Sequence, residues 1–173
     1  STLNGAAADT VSPIEACIAG DFLLSPHTLV KDTDYAYENN TLTILNSTPV
    51  TISGSTTADK IAVNGGVAAK ITLDGLSITS GTCAFTIPGT ASAEITLVGD
   101  NTLKSGSSCA GLAVEQEGTV TIGGAGPLQC SGGWRAAGIG GGQQGASGTI
   151  TINGGAVTAT GGESGAGIGG GYD

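Results

Sequence analysis

The sequence predicts an all-β protein, a single-stranded, right-handed parallel β-helix (solenoid) of about five coils with three short strands per coil. Three observations favour this class: near-copies of one segment recur every 24 to 30 residues, the recurring segments alternate apolar and Thr residues, and glycine is abundant. The 173 residues include 32 Gly but only one Trp, two Phe and three Tyr, so the chain must bury small aliphatic side chains in a narrow interior.

The repeat is clearest in the second half of the chain. The block AGIGGG at 137–142 returns at 166–171, and GTVTI at 118–122 returns as GTITI at 148–152. Apolar-Thr-apolar segments, which read as the first strand of each coil, lie at 42–44, 71–73, 95–97, 120–122 and 150–152. Their period of two predicts strands with the aliphatic residues inward and Thr outward.

Second and third strands follow in each repeat. The second strands are expected at 50–52, 76–78, around Leu103, at 128–130 and at 157–159, and the third at 61–63, 85–87, 112–114 and around Ile139 and Ile168. Units with one apolar edge per strand close a core only by stacking on their copies. Right-handed coiling follows from the usual chirality of strand crossovers.

The outward Thr of the first strands forms one predicted column, made of Thr43, Thr72, Thr96, Thr121 and Thr151. Flat Thr arrays on solenoids bind ice, but Lys70 and Glu94 interrupt the column beside this one. We therefore interpret the Thr residues as a structural ladder, in which methyls and hydroxyls stack on their copies.

The domain organisation is predicted as an N-terminal cap over residues 1–40 and β-helix repeats over residues 41–173. Within the cap, residues 12–18 could start one short helix and residues 34–38 read as a strand. A solenoid needs such a cap to hide its apolar end and its unpaired strand edge. The other end stops in mid-repeat, which predicts truncation from a longer array.

Cysteine spacing predicts one disulfide. Cys83 and Cys109 are 26 residues apart, one repeat, and both precede a third strand, so neighbouring coils would bring them together. Cys130 aligns with inward residues and is expected to be a buried thiol, several coils away from Cys17. One His and no Cys-x-x-Cys pair argue against a zinc site.

The net negative charge argues against nucleic acids and anionic membranes as partners. Five Lys and Arg residues against fourteen Asp and Glu give a net charge of -9. Nucleic-acid binding needs a basic stripe, and an anionic membrane surface repels the same charge. No apolar run is long enough to insert into a membrane.

A resemblance to known repeats adds a functional expectation. The segments TLVGDNTL at 96–103 and GTITINGG at 148–155, with the two AGIGGG blocks, resemble Gly-rich right-handed β-helix repeats of secreted and surface proteins of Gram-positive anaerobes. These repeats are similar to pectate-lyase-type β-helices and are usually described as carbohydrate-binding or adhesin-like modules. The resemblance covers residues 40–173 and implies a secreted or cell-surface module whose partner is a polysaccharide or a host glycan.

The candidate binding residues follow from chemistry, because the repeat motifs carry only turn and core residues. Trp134 and Arg135 lie at a corner between Gly133 and Ala136, and Tyr35, Tyr37 and Tyr172 are secondary candidates for stacking on sugar rings. No cofactor is expected; Asp74 and Asp100 are candidate calcium ligands without a dense carboxylate cluster around them. The protein is expected to be a monomer or to associate end to end through an open C-terminal coil.

Catalysis is not expected, because hydrolases on this fold need paired carboxylates and lyases need a basic residue beside a calcium cluster. The acids are instead scattered along the chain, at Asp59, Asp74, Glu94, Asp100, Glu115 and Glu117. The sequence therefore predicts a non-catalytic, adhesin-like glycan-binding module. The alternatives are a purely structural stalk or spacer, a polysaccharide lyase-like enzyme and an ice-binding solenoid.

Overall fold

The computed structural model describes residues 17–172, and within this range the chain is all-β without a helix. In chain order the strands are β1 (Cys17–Ala19), β2 (Phe22–Ser25), β3 (Tyr35–Glu38), β4 (Thr41–Ile44), β5 (Val50–Thr56), β6 (Lys60–Val63), β7 (Ala68–Thr79), β8 (Phe85–Ile87), β9 (Ser92–Val98), β10 (Asn101–Lys104), β11 (Leu112–Val114), β12 (Thr119–Gly124), β13 (Pro127–Ser131), β14 (Ile139–Gly140), β15 (Thr149–Ile152), β16 (Ala156–Thr160) and β17 (Ile168–Gly169).

The strands stack into a parallel β-solenoid with three faces, which confirms the predicted fold class. The first face is formed by the first half of β5 and of β7, then by β9, β12 and β15. The second face continues around a corner through the second halves of β5 and β7 to β10, β13 and β16. The third face contains β4, β6, β8, β11, β14 and β17.

The solenoid winds through about four turns rather than the predicted five. The first coil also differs from the prediction. Strand β4, predicted to belong to the first face, pairs with β6 on the third face, and Val50 pairs with Ile71 on the first face. An alternating apolar-Thr pattern is the same on every face, so the pattern alone does not tell which face a segment occupies.

The predicted Thr column is also wrong in its register. Thr72 does pair with Thr96, but Thr121 lies opposite Glu94, and Thr43 is on the third face. The observed columns run Lys70–Glu94–Thr121–Thr151 and Thr51–Thr72–Thr96–Gly123. A slip of two residues keeps every aliphatic side chain inward, so the period-two pattern permits it.

The interior is a continuous column of aliphatic side chains, among which Phe22 and Phe85 are the two large rings that are fully buried. Cys130 is 1 % exposed and pairs with Leu103 of the preceding coil, so the prediction of an inward thiol is confirmed. Burial raises the pKa of Cys130 to about 12.

The predicted disulfide between Cys83 and Cys109 is present, with a Cα–Cα distance of 5.1 Å.

Thiol labelling is expected to distinguish the two free cysteines. With a pKa of about 12, about one Cys130 in ten thousand is a thiolate at pH 8, and its sulfur is shielded from reagent. In the native protein without reductant, a disulfide-exchange reagent should modify Cys17, and Cys130 should react only after denaturation. A Cys17→Ser variant is the control; native labelling of that variant would contradict the buried position of Cys130.

One polar side chain, Asn101, joins three coils from inside. It is 2 % exposed, and its Oδ1 accepts a hydrogen bond from the Leu76 N–H of the preceding coil at 2.9 Å. Its Nδ2 donates to Val98 O in its own coil and to Pro127 O in the next, at 3.0 and 3.4 Å. Both polar atoms of the Asn101 side chain are therefore hydrogen-bonded, although Asn101 occupies a position that is Leu128 in the next coil.

Antiparallel strands precede the parallel array. Strand β2 pairs with β1 and with β5, and β3 pairs with β4, in both cases antiparallel. The predicted strand at 34–38 is thus confirmed as β3. The predicted helix falls largely on residues outside the described range, but its last two residues, Cys17 and Ile18, lie in strand β1.

A buried carboxylate, Asp59, ties these antiparallel strands to the first coil. It is 2 % exposed and accepts hydrogen bonds from Tyr37 Oη at 2.6 Å, from the Asp21 N–H at 2.7 Å and from Asn40 Nδ2 at 2.8 Å. Burial alone would raise the pKa of Asp59, but these hydrogen bonds together outweigh it and hold the pKa below its usual value. The bond to Asp59 raises the pKa of Tyr37 in turn.

The last coil has no further coil above it within residues 17–172. Ile152 and Ile168, which continue inward columns, are 39 % and 49 % exposed there. Their counterparts in the coil before, Ile122 and Ile139, are fully buried. The interior is therefore open at this end of the described chain.

Candidate functional site

A long connection distinguishes one coil of the solenoid from the others. Four residues join the third face to the first at 64–67, at 88–91 and at 115–118, but eight do so at 141–148. This connection folds back over the preceding coil: the Gln143 N–H donates to Ser108 O at 3.0 Å, and Ser108 Oγ donates to Gln143 Oε1 at 2.8 Å. We call residues 141–148 the fold-back loop.

The fold-back loop is the wall of a groove on the third face with a volume of about 430 Å³. This volume lies within the range of ligand-sized clefts, about 300–1,000 Å³. The side chains that line it are small or polar, and the disulfide forms part of its surface. They belong to Cys83, Thr86, Ser108, Cys109, Ala110, Ala113, Glu115, Gln116, Gln143, Gln144 and Ala146, with backbone from Gly140, Gly141, Gly142 and Gly145.

Glu115 is anchored where strand β11 meets the fold-back loop. Its N–H donates to Ile87 O at 3.0 Å, and its carbonyl accepts from the Gly118 N–H at 2.8 Å. It also forms an isolated antiparallel bridge with Ser147 of the loop. The backbone that carries this carboxylate is therefore held by the preceding coil and by the fold-back loop.

An exposed aromatic cluster adjoins the groove. The indole of Trp134 is 47 % exposed, and the guanidinium of Arg135 lies 4.3 Å from its ring centroid and 4.9 Å from that of Tyr172. Both distances fall within the range of cation–π contacts, which are worth about 0.5–1 kcal/mol at exposed sites. We call Trp134, Arg135 and Tyr172 the aromatic corner.

Hydrogen bonds connect the aromatic corner to the groove. The Tyr172 N–H donates to Arg135 O at 3.0 Å, and Tyr172 O accepts from the N–H of Gln144, which lines the groove, at 3.0 Å. The backbone of the aromatic corner is thus attached directly to the fold-back loop, which forms the wall of the groove.

The structure separates the sequence-predicted binding residues. Trp134 and Arg135 lie together with Tyr172, whereas Tyr35 and Tyr37 belong to strand β3 at the other end of the solenoid. Tyr35 is 6 % exposed, so its ring is not available for stacking on a sugar. Tyr37 is half-buried with its hydroxyl held by Asp59, and its contribution to sugar binding stays a prediction.

Sequence reasoning missed the groove. Gln143 and Gln144 lie between glycines that match the repeat, and nothing in the pattern shows that they fold back onto Ser108. The extra length of the connection between the two Gly-rich repeats was the available signal, since insertions into a regular repeat map to loops on one face.

Metal ligands do not converge among residues 17–172: no group of three or more His, Cys, Asp or Glu side chains lies within metal-binding range there. Asp74 and Asp100, the candidate calcium ligands, are both exposed. Calcium binding by these residues stays a prediction.

Comparisons with known proteins leave the fold and the site as the basis for assigning a function. The described residues contain no helix that is long and apolar enough to cross a membrane. No protein-family model, no curated protein and no solved structure matches the chain.

Proposed function

We propose that this chain is a non-catalytic, adhesin-like extracellular module that binds polysaccharide along the groove and the aromatic corner. The observation that carries the proposal is a groove of 430 Å³, lined by small and polar side chains, whose loop wall is hydrogen-bonded to the corner that holds an exposed indole. Sugar recognition needs an apolar ring face for the C–H side of the sugar and polar groups for its hydroxyls, and this surface offers both.

The disulfide supports the extracellular assignment. Cys83 and Cys109 are half-buried rather than enclosed, so their bond is open to cellular reductants. Disulfides of this kind persist in oxidising compartments outside the cytosol. The bond also anchors Cys109 to the preceding coil, next in the chain to Ser108, which positions Gln143 at the groove wall.

The distribution of acids supports a binding role over hydrolysis. Among the residues that line the groove, Glu115 is the single carboxylate. Glycoside hydrolysis generally requires two carboxyl groups on opposite sides of the scissile bond. The groove residues therefore supply contacts for a bound glycan rather than an acid–base pair.

Replacing Trp134 is expected to weaken binding most. In calorimetric titrations with a panel of soluble oligosaccharides, Trp134→Ala should lose about tenfold or more in affinity, as is common for an aromatic anchor that the ligand covers. The emission of the single Trp of the wild type should shift on binding. Val98→Ala, at a similarly exposed apolar residue outside the site, is the control and should bind as the wild type does.

The same titrations decide between a binding module and a stalk. If no oligosaccharide of a broad panel binds the wild type, the proposal fails and a structural spacer becomes the better description. If oligosaccharides bind but Trp134→Ala and Val98→Ala bind equally well, the glycan site lies elsewhere on the solenoid.

A further inference from the structure

The groove contains one formal charge, and it is negative. Its other polar side chains are the hydroxyls of Thr86 and Ser108 and the amides of Gln116, Gln143 and Gln144. None of the lining residues is Lys or Arg. The carboxylate of Glu115 is exposed and accepts hydrogen bonds without donating any.

The charges in the neighbouring sequence add to the negative charge of the groove. From residue 105 to residue 172 the sequence contains three acids, Glu115, Glu117 and Glu163, and one cation, Arg135. The guanidinium of Arg135 lies over the rings of Trp134 and Tyr172, at the aromatic corner and not among the groove residues. With a net charge of -9 on the whole chain, the field along the groove attracts cations and repels anions.

Resting on the proposed function, we propose that the groove selects amino sugars: the ring seated beside Glu115 bears an amine, and polymers of uronic acids are disfavoured. An ammonium group donates hydrogen bonds to the Glu115 carboxylate, whereas a uronate would place a second carboxylate beside it. The Gln amides bind the remaining hydroxyls, since each amide both donates and accepts.

The test compares three oligosaccharides of equal length that differ in charge: β-1,4-linked glucosamine, its N-acetylated form and oligogalacturonate. At about pH 6 and low salt, the wild type should bind the glucosamine oligomer tightest and the uronate weakest, with steps of about three- to fivefold. Raising the salt to about 1 M should compress this order, because exposed charges are screened.

Two variants assign the selectivity to one residue. Glu115→Gln keeps the shape of the side chain and removes its charge, so the preference for glucosamine over N-acetylglucosamine oligomers should fall to within about twofold. Glu94→Gln removes an exposed carboxylate from the first face and should keep the wild-type order.

The outcomes separate this inference from the proposed function. If none of the three probes nor any other glycan of a broad panel binds, the glycan-binding proposal itself fails. If glycans bind without the expected charge order, or if Glu115→Gln keeps that order, amino-sugar selection is overturned and glycan binding stands. Tightest binding of the uronate, lost on Arg135→Gln, would overturn it in favour of anion recognition at the aromatic corner.

Discussion

Gly133→Ala is expected to destabilise the protein by about 3 kcal/mol and to lower its melting temperature by about 6–12 °C. In the corner between the second and third faces, Gly81, Gly106, Gly133 and Gly162 stack one above another. A Cβ atom on Gly133 would overlap the carbonyl oxygen of Gly106 in the preceding coil, and one on Gly162 would overlap that of Gly133. Because a backbone carbonyl cannot rotate away, the two coils would have to separate, with loss of the hydrogen bond from the Gly133 N–H to Cys109 O.

Gly81→Ala is the matched control, since Gly81 begins the same stack. A Cβ atom there meets nothing within 4 Å, and its backbone does not need glycine. Thermal unfolding followed by circular dichroism should leave Gly81→Ala within about 1 kcal/mol of the wild type. Equal melting temperatures for Gly133→Ala and Gly81→Ala would show that the coils are not in the close contact described here.

Asp59→Ala is expected to cost about 3 kcal/mol at neutral pH, because it leaves Tyr37 Oη, Asn40 Nδ2 and the Asp21 N–H without their shared acceptor in a buried site. Asp74→Ala, which removes an exposed carboxylate, is the control and should change stability by less than about 0.5 kcal/mol. The free energy of unfolding is measured from urea denaturation.

The cost of Asp59→Ala should depend on pH in a defined direction. Because the pKa of Asp59 is lower in the folded chain than in the unfolded chain, its ionised form stabilises the fold fully above the unfolded value of about 4. That stabilisation is lost as the pH falls through the folded pKa. The difference between the wild type and Asp59→Ala should therefore be larger at pH 7 than at pH 3, and a pH-independent difference would contradict the charged network.

The features of this fold that follow from the repeat length could be predicted from the sequence, and the strand register could not. The spacing of Cys83 and Cys109 equals one repeat, so their pairing could be inferred without coordinates. The position of Thr121 opposite Glu94 could not be, because a slip of two residues preserves the inward and outward pattern. Which neighbour a strand residue contacts is decided by corner geometry, and this leaves little trace in a period-two pattern.

The candidate site was predictable only in part, for a related reason. Trp134 and Arg135 can be identified as candidate binding residues from the sequence, because large side chains are rare in this chain. Gln143 and Glu115 gain their significance only when the fold-back loop returns to Ser108 and its Ser147 pairs with Glu115. The sequence likewise does not distinguish Asp59 from the other scattered acids, because its hydrogen-bond donors come together only in the tertiary structure.

The contrast between four-residue corners and the eight-residue fold-back loop bears on how such a protein can evolve. The strands on either side of the loop keep their register, with Thr119 opposite Thr149 and Ile139 opposite Ile168, although the corner has doubled in length. Insertions at this corner thus leave the ladder spacing undisturbed. Natural selection could change ligand specificity there by lengthening one corner loop at a time, while the stacked strands keep their positions.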